Sequence, residues 1–85
     1  MSPFAMGTRA GYADGKDRAG AYVIGEEFDL ADQAAVASGL PEYDENERRT
    51  HGYDRRADFA RGYRRAYRHA AEGYTIDPRG FWVAP

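Results

Sequence analysis

Eighty-five residues with a formal charge of −2 and no cysteine leave room for one domain near the lower size limit of a single core, and exclude disulfides as staples. Leu, Ile, Val and Phe number only 11 of 85, a share at which disorder competes with folding; seven tyrosines, one tryptophan and the near-neutral charge return the chain to the folded class. No apolar run approaches the roughly 20 residues a bilayer requires and no charged-then-apolar leader opens the sequence, so a soluble, cytoplasmic protein without membrane partners is expected.

Ser2 followed by Pro3 is a helix-start signal, because the serine oxygen can accept an orphan amide and proline suits the first turn. The first helix is expected over about Pro3 to Arg18. "GAYVIG", residues 20 to 25, places β-favouring Tyr22, Val23 and Ile24 between glycines and reads as a strand. Asp29 can cap a short helix over Leu30 to Ser38, with Gly39 in the left-handed stop position. "LPEYDENERRTHGY" then reads as a polar connection, in which Gly52 ends any helical turn begun at Glu45.

The strongest pattern follows. Phe59, Tyr63, Ala66, Tyr67, Ala70 and Tyr74 recur at spacings of three and four, which predicts a third helix over about Tyr53 to Glu72, stopped by Gly73. In "YTIDPRGFWV" two short apolar runs flank Asp77, Pro78, Arg79 and Gly80, a β-turn combination. A closing hairpin that pairs with the Tyr22 strand is expected. The fold class is thus α+β and mainly helical: one compact domain with two Gly/Ala-striped helices packed together, one short helix and a small antiparallel sheet.

Gly7, Gly11 and Gly15 stand four apart inside the first helix, where each costs about 1 kcal/mol relative to alanine. "FAMGTRAGYADG" laid over "FARGYRRAYRHA" matches at five of twelve positions, and small residues coincide: Gly7 with Gly62, Gly11 with Ala66, Gly15 with Ala70. Two such stripes facing each other let backbones approach closely, with Tyr12, Tyr63 and Tyr67 walling the seam. The same stripe on a second copy of the chain gives a homodimer, a further source of burial for so thin a core.

Charge is segregated. From Glu26 to Glu47 there are eight acidic residues and no basic one; from Arg48 to Arg68 there are eight arginines against Asp54 and Asp58. Arg61, Arg64, Arg65 and Arg68 cluster on the helical wheel opposite the aromatic face, a patch able to grip phosphate or an acidic protein surface. Glu42, Asp44, Glu45 and Glu47 form an acidic stretch able to imitate a nucleic-acid backbone. Catalytic chemistry is scarce. His51 and His69 sit in no recognisable motif, and Glu47 with His51 makes only half of a metal site, so neither metal, cofactor nor enzyme activity is expected.

At "GYADGK", "LPEYDENERR" and "FARGYRRAYRHA" the chain resembles the small ribosome modulation factors. That resemblance implies a helical hairpin that binds ribosomal RNA, with Gly11, Tyr12, Tyr43, Gly62 and Tyr63 matching the family pattern. In size, charge layout and lack of chemistry the chain is also similar to phage or mobile-element inhibitors of host defence, anti-CRISPR proteins among them. This similarity of kind implies stoichiometric blocking of a nucleic-acid channel. The sequence therefore points to a non-enzymatic inhibitor or modulator of a nucleoprotein complex, with direct RNA or ribosome binding as the alternative. Its contacts are expected from Glu42, Asp44, Glu45 and Glu47 on one side and Arg61, Arg64, Arg65 and Arg68 on the other.

Overall fold

A computed structural model describes residues 1–41 and 54–85. Among the described residues three helices and one hairpin follow in order: α1 (Pro3–Lys16), α2 (Glu26–Ala37), α3 (Arg55–Ala71), β1 (Thr75–Ile76) and β2 (Trp82–Val83). The mainly helical α+β class is as the sequence predicts. The cap of α1 is also as read, with Ser2 Oγ accepting from the Ala5 amide at 3.1 Å and Pro3 in the first turn. At α3, Asp54 accepts from the Ala57 amide at 3.0 Å. The helix ends at a left-handed Gly73, where Tyr74 N–H donates to His69 O.

The glycine stripe meets α3. A Cβ built on Gly7 would overlap the Phe59 carbonyl; on Gly11 it would stand 2.8 Å from Tyr63 Cα, and on Gly15 2.8 Å from Tyr67 Cα. Gly62 reciprocates against the Phe4 carbonyl. Contacts advance in the same sense along both chains, so α1 and α3 run parallel. Gly7 on Phe59 and Gly62 on Phe4 exchange places under the alignment that matches the two sequence segments. A pseudo-two-fold axis therefore runs between the helices, and the internal repeat has a structural counterpart. The antiparallel helical hairpin implied by the resemblance is not what these two helices form; α2 carries the chain back between them.

The core lies where α2 covers the other side of α3. Ala31 and Ala35 pack with Phe59, Ala60, Tyr63, Tyr67 and Ala71, and Leu30, Ala34 and Leu40 close the edge. Phe59, Tyr63 and Tyr67 stack up one line of α3 with centroids 6.4 and 5.8 Å apart. Small side chains and rings thus form the core, as composition required. Tyr63 and Tyr67 wall the seam as expected, whereas Tyr12 turns to the other side and meets Trp82 edge-on at 5.7 Å.

Two expectations fail in the α1–α2 connection and one in the sheet. Residues 20 to 25 form successive turns instead of a strand: Arg18 O accepts from the Ala21 amide, Val23 O accepts from the Glu26 amide, and Gly20 and Gly25 both have positive φ. Tyr22 is drawn inward to the Tyr67 ring and Glu27, and among the described residues no strand pairs with this segment. α2 begins at Glu26 rather than Leu30, with left-handed Gly25 as its N-cap; Asp29 sits inside the first turn, where Glu26, Glu27 and Asp29 complement the positive helix end. The terminal hairpin pairs only with itself, Thr75 with Val83 and Ile76 with Trp82. Its turn is the predicted one, with Gly80 N–H donating to Asp77 O and Gly80 left-handed.

Candidate functional site

Arg61, Arg64, Arg65 and Arg68 come together on the outer face of α3. They line a shallow groove of about 260 Å³ whose opposite wall is the first turn of α2, with Glu27 and Phe28. The helix period places them there: the rings and alanines at complementary positions are buried against α1 and α2, which leaves the arginines facing outward. Arg61 is held by Asp58 at 3.2 Å and Arg68 by Glu72 at 3.1 Å. Among the described residues, neither Arg64 nor Arg65 makes an ion pair. The Arg64 guanidinium instead lies 5.4 Å from the centroid of Phe28, a ring that remains 59% exposed.

On the inner faces of the helices, three tyrosines donate to three carboxylates. Tyr63 donates to Asp14 at 2.5 Å, Tyr67 to Glu26 at 2.8 Å, and Tyr22 to Glu27. Arg18 clamps Glu26 through Nε and Nη2 at 3.1 and 3.0 Å, and its hydrogen bonds hold the Glu26 carboxyl below the usual carboxylate range. Burial, reinforced by the bond to Glu26, pushes the Tyr67 hydroxyl up to about 12. Burial raises Tyr63 further, with Asp14 adding to it. Glu27 is 96% buried by its 4% exposure, and its Oε1 has no hydrogen-bond partner. A lone buried acceptor in a cationic groove is the feature that sequence reading missed; "GEEFD" reads only as an acidic helix start.

Arg65 also borders a second groove, of about 350 Å³, lined by Phe4 and Thr8 of α1 and by Gly80, Phe81 and Trp82 of the hairpin. Asp77 braces the hairpin tip: its Oδ1 accepts from the Arg79 and Phe81 amides at 2.9 and 3.0 Å, and its Oδ2 faces the Arg79 guanidinium at 3.1 Å. These donors, the Phe81 amide foremost, lower the Asp77 carboxyl. Phe81 stands 64% exposed, with Arg79 over its ring. Trp82 stacks on His69 with centroids 4.9 Å apart, and His69 Nδ1 donates to Arg65 O, so His69 acts as packing.

The acidic quartet Glu42, Asp44, Glu45 and Glu47 lies outside the described residues, as do Tyr43 and His51. Within them, Asp29 and Asp32 continue the acidic run as exposed residues on α2. No group of three or more His, Asp or Glu able to hold a metal is found among the described residues, and no described helix is long and apolar enough to cross a membrane. No protein-family model, curated protein or solved structure matches this chain.

Proposed function

We propose that the chain is a non-enzymatic binding protein that modulates a nucleoprotein complex, docking through the arginine face of α3 onto exposed phosphates. One observation carries this reading: four guanidinium groups share one groove, and among the described residues two of them, Arg64 and Arg65, make no ion pair with a carboxylate. Guanidinium forks suit phosphate oxygens in geometry as well as charge. The close-packed seam behind α3 fixes the backbone from which the four project, so binding orders side chains but no backbone.

Affinity for nucleic acid is the test. A surface that neutralises four phosphates loses affinity with a log–log salt slope of about −3 to −4. Replacing Arg61, Arg64, Arg65 and Arg68 together by glutamate is expected to abolish binding, with the helical circular-dichroism signal retained. Retained affinity in that variant overturns the reading.

A second reading, stoichiometric inhibition by imitation of a nucleic-acid backbone, is favoured by the unbroken acidic run from Glu26 to Glu47. It predicts a protein that ignores naked nucleic acid, competes with it for a basic partner, and fails when Glu42, Asp44, Glu45 and Glu47 become lysine. A ribosome-factor-like role requires instead that the arginine variant lose ribosomal RNA.

A further inference from the structure

The arginine band of α3 is bordered by an exposed aromatic ring on each side, and that arrangement asks more of a ligand than phosphates. On the α2 side stands Phe28, first in the groove that holds the four arginines. On the hairpin side stand Phe81 and Trp82, in the groove that α1 and the turn enclose. Arg65 belongs to both grooves, so one cationic track joins the two aromatic positions. Phe28 and Phe81 are 59% and 64% exposed in a chain with only four phenylalanines. Both rings are presented by well-anchored elements: Phe28 by the first turn of a three-turn helix, Phe81 by the Asp77-braced tip.

We propose that this face binds single-stranded nucleic acid, its phosphates following the arginine band and its bases stacking on Phe28 and in the Phe81–Trp82 groove. The inference rests on the phosphate-binding reading above and narrows it to one kind of strand. Duplexes present phosphates but keep their bases stacked inside; only an unpaired strand can turn bases onto protein rings. The floor of the Phe28 groove discriminates in the same sense. Glu27, whose carboxyl is buried beside that ring, offers a phosphate no attraction there. The exposed Phe28 ring is thus the place for a base, and Arg61 and Arg65 the place for the backbone.

Trp82 is the sole tryptophan and lines the second groove, so its fluorescence reports occupancy directly. The probes are a mixed-sequence single-stranded RNA, the single-stranded DNA of the same sequence, and the RNA annealed to its complement. The single strands are expected to bind and quench Trp82, and the duplex to bind at least about tenfold more weakly. Phe28→Ala and Phe81→Ala are each expected to lower single-strand affinity about tenfold, as loss of one stacked base does, while leaving duplex affinity unchanged. Both side chains are exposed, so folding is retained and circular dichroism confirms it. A preference for RNA over DNA adds the 2′-hydroxyl to what is read; equal binding leaves backbone and base as the recognised chemistry. If Phe28→Ala and Phe81→Ala leave single-strand affinity unchanged while the quadruple arginine variant abolishes it, the strand preference is overturned and phosphate binding stands. If no nucleic-acid probe binds at low salt, both fall.

Discussion

The two sides of α3 are built on opposite principles. Against α1, backbone meets backbone: Gly7, Gly11, Gly15 and Gly62 stand where a methyl group would enter carbonyl or Cα atoms of the other helix. Against α2, side chains fill the gap, with alanines over a ladder of aromatic rings and hydroxyls donating to Glu26 and Glu27. The first seam has no flexible part that can give way, whereas the second can adjust rotamers. One chain thus carries a seam intolerant of a single carbon and another that is tolerant of volume yet tied to protonation.

Gly11→Ala gives the largest contrast. Its Cβ would strike Tyr63 backbone atoms, so the helices must part along their length, a cost of about 3 kcal/mol or more despite alanine's better helix propensity. Urea unfolding should show a much lower midpoint; an unchanged midpoint breaks the close-packed account. On the other side, Ala35→Gly removes one buried methyl group and adds backbone freedom, for about 2 kcal/mol by the same measurement.

Tyr67→Phe deletes a hydroxyl while Arg18 still holds Glu26, so a loss of about 1 kcal/mol is expected. High pH reaches both seams, Tyr63 through Asp14 of α1 and Tyr67 through Glu26 of α2. Tyr63 and Tyr67 both have raised pKa values, so the stability they contribute is whole below the free tyrosine value of 10 and disappears as pH rises towards and past about 12. Phenolate absorbance should show these two rings ionising only as helical signal is lost. Glu26, held low by Arg18, has the opposite sign: its contribution is complete above 4.5 and is lost as pH falls through the lower folded value. Acid should therefore loosen the α2 side first, seen as early exchange of α2 amides, while the glycine contacts have nothing to titrate. Smallest of all, removal of the exposed Arg68–Glu72 pair by Glu72→Gln should leave the melting temperature unchanged within error.

How far the sequence could be read follows the same division. Local signals were sufficient at Ser2, Gly73 and 77–80, because a cap or a turn is decided by a few neighbouring atoms. The arginine face was legible too, since a helical period fixes which residues share a side once the rings claim the core. "GAYVIG" misled: β propensity has no effect without a neighbouring strand, and Tyr22 had better partners in Tyr67 and Glu27. Asp29 misled in the same way, since left-handed Gly25 allowed the helix to start a turn earlier.

By itself the sequence determined that the chain has two glycine- and alanine-striped helices, a tyrosine ladder and segregated charge, because periodicity and composition act within a few residues. Tertiary structure alone decided that the striped helices run parallel about a pseudo-two-fold axis, that Phe28 and Phe81 flank one arginine track, and that an unpartnered Glu27 oxygen lies beneath it. Those facts depend on which faces of α1, α2 and the hairpin meet α3, and contacts between residues so distant in the chain are set by three-dimensional packing, which no local pattern encodes.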